Sequence, residues 1–282
     1  MKRAAVVIAV LGMCVCGWAQ DKPAGQTAPA GQAAAAPQGK RPPQAKTQPE
    51  FDAYKAAIAL TDPAAVEKAA DDFAAKFPDS ELRVVLYKLA MQKYQMANNA
   101  DKMETMARKA LTLDPDDPEA LVGVSQVLAE TTHDTDLDKD QKIDEAKKDA
   151  ERALVTVDTD VPTAGYPPEK IDQFKRYIKS EAYAILGTLA SNAKNWPDAE
   201  TDLKKSIDVF PEQVDSVAVL RLAVALDMQN KVPDALKYAN QAVDLTKDRP
   251  DSPAGKAARA EQDRLTKLSS GTAPGQPTPQ KN

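Results

Sequence analysis

The sequence SEAYAILGTLASNAKNWPDAETDLKKSIDVFP, residues 180–211, decides the fold. Its apolar residues recur at intervals of three and four, which is the period of an amphipathic α-helix. Asn195-Trp196-Pro197 interrupts this pattern, and proline suits the first turn of a helix because its missing N–H has no partner there. Phe210-Pro211 marks the end of the second periodic stretch. The stretch therefore predicts two helices joined by a short turn.

The two predicted helices carry small residues at the place where they cross. Gly187 on the first helix and Ala199 on the second lack bulk, so the two backbones can approach closely. Tyr183, Leu186 and Leu203 are expected to fill the space between this pair and its neighbours. The pair is therefore expected to be one unit of a larger stack.

The same frame of small and apolar residues returns in three other parts of the chain. One unit begins thirty-six residues later, one covers about 84–117, and one follows it directly with roughly nine extra residues in its turn. The matching residues are Val219, Leu222, Ala223, Leu226, Ala235, Ala239 and Ala242; Tyr87, Ala90, Met91, Tyr94, Met103 and Ala107; and Leu121, Val124, Ser125, Leu128, Ala146, Ala150 and Ala153.

This frame resembles the tetratricopeptide repeat (TPR), a helix-turn-helix of about thirty-four residues with Trp, Leu, Gly and Tyr on helix A and Ala, an aromatic residue and Pro on helix B. Tyrosine or a smaller residue replaces Trp throughout this chain. The resemblance implies an all-α, TPR-like solenoid of antiparallel helix pairs, with about four to five repeats plus a C-terminal capping helix. We expect about eleven helices, the first pair degenerate and the last helix, 252–268, carrying Leu265 and Leu268 as its apolar contact.

The domain boundaries follow from composition. Residues 20–48 contain no Val, Ile, Leu, Met or aromatic side chain, so they predict a disordered linker rich in Ala, Pro and Gln. Residues 269–282 have the same character and predict a disordered tail. The helical repeat domain is expected over 49–268, interrupted at 159–168, where three prolines and a glycine occur.

The amino terminus has the pattern of an export signal. Met1-Lys2-Arg3 is basic, the thirteen residues from Ala4 to Cys16 are apolar, and Gly17-Trp18-Ala19 supplies small residues. A signal peptide over 1–19, cleaved after Ala19, predicts a periplasmic or secreted protein. The apolar stretch is shorter than the roughly 20 residues that span a bilayer, so no transmembrane segment is expected after cleavage. A lipid anchor on Cys14 or Cys16 is disfavoured but stays open.

The charge balance disfavours binding to nucleic acid. The chain has 37 basic and 42 acidic residues, and removal of Lys2 and Arg3 leaves 35 against 42, a net charge of −7. Lys and Arg are interspersed with Asp and Glu, whereas a phosphate backbone needs a clustered basic face.

One acidic cluster invites comparison with calcium-binding loops. Asp134, Asp136, Asp138 and Glu145 occupy positions where such loops place carboxylates. Lys139, however, stands where the loop requires Gly. The cluster is therefore a weak metal candidate, and we favour an acidic turn that caps a helix beginning near Lys139.

The sequence contains no arrangement typical of an enzyme. His133 is the only histidine, and no second histidine is present to serve as a base for a nucleophile. A zinc site would have to be built from carboxylates around this single imidazole, which is a poor ligand set. Ser125 and Ser206 fall at packing positions of the repeat, and no Gly-rich phosphate loop occurs. The prediction is a non-catalytic protein without a cofactor.

The TPR resemblance implies that the first helix of each repeat lines a concave face that binds a protein or peptide. The positions on this face are Val85, Lys88, Gln92, Glu119, Val122, Gln126, Glu181, Ala184, Thr188, Val217, Leu220 and Val224. The two glutamates would repel a terminal carboxylate. The last three residues either form a groove for an apolar or helical peptide or are covered by the helix from Ser252, and both alternatives stay open.

These features together predict a protein-binding adaptor or scaffold of the cell envelope. The first alternative is a self-assembling scaffold, in which terminal repeats of different copies stack. A less favoured alternative is an accessory subunit of envelope glycan or outer-membrane assembly machinery. The sequence does not identify the partner.

Overall fold

The computed structural model describes residues 40–271, so the predicted signal peptide, linker residues 20–39 and tail residues 272–282 lie outside the described part of the chain. Within residues 40–271 the fold contains eleven α-helices, a short 3-10 turn at Pro211–Gln213 and no β-strand, which confirms the all-α prediction. The helices are α1 (Gln48–Ile58), α2 (Pro63–Lys76), α3 (Leu82–Met96), α4 (Ala100–Leu113), α5 (Pro118–Thr131), α6 (Lys139–Thr156), α7 (Pro168–Asn192), α8 (Trp196–Val209), α9 (Ser216–Asp227), α10 (Val232–Leu245) and α11 (Pro253–Ser269).

The helix boundaries follow from local chemistry. Pro63 opens α2, and Pro197 and Pro233 are the second residues of α8 and α10. The start of α8 at Trp196-Pro197 agrees with the sequence prediction. The side chains of Asp62 and Ser252 accept backbone N–H groups of the first turns of α2 and α11, which would otherwise have no partner. None of the helices in residues 40–271 combines the length and the apolar character needed to cross a bilayer.

The described chain divides into two compact units. The first unit comprises residues 40–127 and 152–175, and the second comprises 128–151 and 176–271. Helices consecutive in sequence pack against each other in both units, as in a TPR-like array: α1 to α4 in the first, and α8 to α11 in the second.

Fully buried alanines and two polar triads hold α2, α3 and α4 of the first unit together. The Tyr87 hydroxyl donates to Asp71 at 3.0 Å, and the ammonium of Lys109 lies 2.7 Å from the same carboxylate. The second triad repeats this arrangement with Tyr94, Glu67 and Lys102, two turns away along α3 and α4 and one turn away along α2. Burial, followed by the hydrogen bond and the charge of Asp71, raises the pKa of Tyr87 to about 12, so this phenol stays a donor at neutral pH.

The second unit packs leucines against alanines. Leu203, Leu222 and Leu226 are buried among alanines of α8, α9 and α10, and Leu265 of α11 enters the same cluster with Leu268 packed against it. α11 therefore covers the end of the helical array as the predicted capping helix. Its Arg264 also lies 2.5 Å from Asp227, a buried carboxylate at the end of α9.

Gly187 of α7 lies directly against Leu203 of α8. A Cβ atom added at Gly187 would lie 2.6 Å from Leu203 Cγ and 3.1 Å from the Leu203 backbone nitrogen. Gly187 therefore lacks a side chain where the sequence analysis predicted that the two helices cross closely. At Gly123 of α5, an added Cβ would instead meet the sulfur of Met91, a flexible side chain, at 2.7 Å.

We expect Gly187→Ala to lower the melting temperature of the full chain. The overpacking cost of roughly 1–3 kcal/mol should exceed the helix-propensity gain of about 1 kcal/mol, because Leu203 is held on its backbone side as well. Gly123→Ala is the matched control and should leave stability equal or higher, since Met91 can move. Thermal unfolding followed by circular dichroism measures both, and equal melting temperatures for the two variants would contradict the close approach.

Candidate functional site

The clearest constellation of predicted site residues lies in the first unit, on α3 and α5. The ammonium of Lys88 lies 2.8 Å from Asp117 Oδ2 and 3.1 Å from Glu119 Oε2. Gln92, one turn further along α3, donates to Glu119 Oε1 at 2.5 Å. These helices begin two successive predicted repeats. The sequence analysis assigned Lys88, Gln92 and Glu119 to one concave binding face, and the structure brings these three side chains into contact.

The polar contacts between α3 and α5 continue towards the C-terminal end of α3. Gln95 donates to Gln126 Oε1 on α5 at 3.2 Å. We name the whole set the polar row, which consists of Lys88, Gln92 and Gln95 on α3 and Asp117, Glu119 and Gln126 at or on α5. Its members belong to two helices whose backbones are fixed by apolar packing, so its donors and acceptors have defined positions.

Asp117 is a member that the repeat frame did not predict. Its Oδ1 accepts the Ala120 N–H at 2.9 Å and so caps α5, which leaves Oδ2 for Lys88. A carboxylate is favourable at this end of a helix because of the macrodipole. The signal in the sequence was Asp117-Pro118, a capping residue before a proline at the first helical position.

Burial and charge together set the state of Lys88. Its side chain is 19% exposed, and those of Asp117 and Glu119 are 7% and 14% exposed. Burial alone would lower the pKa of Lys88, but the charges of Asp117 and Glu119 outweigh it and hold the pKa above its ordinary value. Lys88 is therefore protonated at neutral pH.

The other predicted site residues of the first unit, Val85 and Val122, expose little side-chain surface to solvent. Val122 is buried on α5, whereas Val85 is half-buried on α3. Both therefore border the polar row as packing residues more than as accessible contacts.

In the second unit the predicted residues of α7 face largely inward. Ala184 and Thr188 are both buried, and the Thr188 hydroxyl donates to the Ala184 carbonyl at 2.7 Å. Glu181 is half-buried on the same helix. The repeat frame places these residues on one helix face, but tight packing removes two of them from solvent.

The predicted apolar groove on α9 is partly covered. Val217 is buried, and Leu220 packs against a cluster formed by Val219, Ala242 and Ala258. Ala258 belongs to α11, so the helix that the sequence analysis considered as a cover does contribute to the cluster beside Leu220. Val224 is half-buried.

The acidic loop before α6 pairs its carboxylates with lysines. Asp134 lies 2.6 Å from the Lys139 ammonium, and Asp138 lies 2.9 Å from that of Lys142. Asp136 accepts the His133 N–H at 3.3 Å. Nowhere in residues 40–271 are three His, Cys, Asp or Glu side chains placed to hold a metal ion, so the structure does not bring Asp134, Asp136, Asp138 and Glu145 together as ligands.

We expect Lys88→Met to destabilise the full chain by roughly 2–4 kcal/mol at pH 7, because it leaves two largely buried carboxylates without their cation. Lys68→Met is the matched control. It removes an exposed pair with Asp72 and should cost under about 1 kcal/mol. Urea unfolding measures both.

The contribution of Lys88 to the free energy of unfolding depends on pH with a defined sign. A lysine with a raised pKa in the folded state contributes its stability below the pKa of free lysine, about 10.4, and loses it as pH rises further. The difference in unfolding free energy between the wild type and Lys88→Met should therefore stay constant from neutral pH to about 10 and narrow above about 10.4. A difference that widens there would contradict the pairing.

Comparisons with known proteins identify structural neighbours and no family. No protein-family model and no curated protein matches the chain. A crystal structure of PilW, a widely conserved type IV pilus biogenesis factor, matches with a TM-score of 0.39 and 17% identity, covering 76% of this chain and 99% of PilW. The assembly chaperone of RpL4 (Acl4), residues 1–338, matches with a TM-score of 0.39 and 12% identity, covering 79% of this chain and 99% of that one. At these values neither likeness implies a shared partner or activity.

Proposed function

We propose that the chain is a non-catalytic adaptor that binds a partner protein through the polar row of its first unit. The observation that carries this proposal is the convergence of Lys88 and Gln92 on Glu119. Two helices that form the surface of successive repeats are thereby joined by fixed polar groups. A surface whose donors and acceptors are already ordered loses little conformational entropy when it binds a partner.

The chemistry of the row indicates the kind of segment it would take. One lysine faces two carboxylates, so the row carries a net charge of about −1. It adds the half-buried amides of Gln92 and Gln95, whereas the predicted site residue Gln126 is buried behind them. A polar segment that offers N–H donors or a cationic side chain fits this surface. A terminal carboxylate does not, because Glu119 would repel it.

The state of Lys88 supports binding over catalysis at this surface. A lysine acts as nucleophile or general base only when its amine is neutral near the working pH, which requires a lowered pKa. The pKa of Lys88 is shifted in the opposite direction by its two carboxylates. The row therefore offers a fixed ion pair for recognition.

The cell envelope is the proposed place of action. This part of the proposal rests on the basic, apolar and small-residue pattern of residues 1–19, which lie outside the described residues.

The proposal is tested by cross-linking pull-down from an envelope extract of the source organism, with the full chain as bait. We expect Gln92→Ala combined with Gln95→Ala to lose the captured partner, because these two substitutions remove donors of the row while alanine preserves the helix. The matched control is Gln241→Ala combined with Gln262→Ala, which removes two glutamines from α10 and α11 of the second unit and should capture the partner as the wild type does.

Two results would contradict the proposal. Equal capture by both double variants would remove the polar row from the binding site. Recovery of the bait alone, together with oligomers in light scattering, would favour the self-assembling scaffold.

A further inference from the structure

Residues 40–46, with the sequence Lys-Arg-Pro-Pro-Gln-Ala-Lys, lie on the first unit outside any helix. Composition predicted that this segment is part of a disordered linker, because it has no large apolar side chain. It is held instead by charge and by backbone contacts. We name residues 40–46 the basic arm.

The basic arm contacts the C-terminal ends of the second helix of three successive pairs. Lys40 lies 2.5 Å from Asp114, the C-cap residue of α4, and 3.5 Å from Asp160, four residues after the end of α6. Its backbone N–H also donates to the Thr159 carbonyl at 3.2 Å. At the other end of the arm, the Lys46 ammonium donates to the Asp79 carbonyl, just beyond α2, at 2.7 Å.

A third carboxylate completes this surface. Arg41 pairs with Glu81, the residue that precedes α3. We name the surface formed by the Asp79 carbonyl and the side chains of Glu81, Asp114 and Asp160 the acidic helix-end surface. The C-terminal ends of helices are themselves partially negative, so the helix ends at α2, α4 and α6 add to the attraction for cations.

The acidic helix-end surface has an unfavourable charge distribution without a cation. Burial raises the pKa of Asp160, the charge of Lys40 offsets this rise in part, and the charge of Asp114 adds to it. With Lys40 in contact, the side chains of Asp114 and Asp160 are 16% and 22% exposed. Two neighbouring carboxylates that are largely removed from water attract a positively charged group.

The ion pairs that bind the basic arm to this surface are nevertheless weak. Arg41 and Lys40 are 63% and 38% exposed, and ion pairs with this exposure contribute little individually and are screened by salt. The two prolines favour an extended backbone and reduce the entropy that ordering costs. A segment with these properties can be displaced by another of the same kind.

We propose that the acidic helix-end surface is a binding site for an extended, cationic, proline-containing segment of a partner protein, and that the basic arm occupies it as an intramolecular competitor. The site is separate from the polar row, so this inference does not depend on the proposed function. The partner segment would place one cation between Asp114 and Asp160 and a second near Glu81.

The test uses the full chain and a labelled synthetic peptide that reproduces residues 39–47. Fluorescence anisotropy at about 20 mM salt compares the wild type with a neutral-arm variant, Lys40→Ala, Arg41→Ala and Lys46→Ala. The peptide should bind the neutral-arm variant roughly five- to tenfold more tightly, because the arm of the wild type competes at a high effective concentration. A matched peptide in which Gln replaces each Lys and Arg should not bind.

Adding Asp114→Asn and Asp160→Asn to the neutral-arm variant should lower peptide affinity at least about fivefold, and about 500 mM salt should abolish binding. Circular dichroism verifies that the variants are folded. Equal affinity for the wild type and the neutral-arm variant, or affinity unchanged by the two asparagines, would overturn the proposal. Concentration-dependent dimers of the wild type that the neutral-arm variant does not form would also overturn it, because the arm would then bind a second copy.

Discussion

The close approach of helices at small residues is the constraint on which the rest of the structure depends. Ala107 and Ala110 of α4, and Ala235 and Ala239 of α10, are fully buried, and Gly187 admits no Cβ beside Leu203 without displacing it. Protein interiors are packed so densely that one added methyl group at such a contact is costly. With the helix backbones fixed in this way, α3 and α5 hold their side chains at defined separations, and Lys88 can reach two carboxylates at once.

The first unit uses charge in two ways. Along the faces of α3 and α5, acids and a lysine compensate each other within the folded body. At the ends of α4 and α6, Asp114 and Asp160 are compensated by Lys40, which comes from a segment outside the helices. The ion pairs of the first arrangement are part of the fold, because removing a member leaves a buried charge unpaired, and the half-buried amides of Gln92 and Gln95 lie beside them. The second arrangement uses the more exposed cations of a segment outside the helices, so this segment can be exchanged for one from a partner.

Periodicity and proline positions predicted the helices, and the repeat frame predicted Gly187 at the crossing. The frame assigned Lys88 and Glu119 to one binding face, but it did not predict that the two side chains pair. The sequence could not predict Asp117 as a partner of Lys88, because an Asp-Pro pair indicates a helix start and carries no information on a second contact. The burial of Val217 and Thr188 also escaped prediction, because their exposure depends on neighbouring helices. Residues 40–46 were expected to be disordered on apolar content alone, which omits ion pairs between distant parts of the chain.

The central claim is that the polar row is the surface that meets a partner. Photo-cross-linking from a single position tests it most directly, with benzoylphenylalanine at Met96, an exposed residue one turn beyond Gln92 on α3, compared with the same group at Asp101, an exposed residue of α4. The account predicts that the probe at Met96, which leaves every member of the polar row in place, forms a covalent adduct with the captured partner and that the probe at Asp101 does not. An adduct from Asp101 with none from Met96 would contradict it.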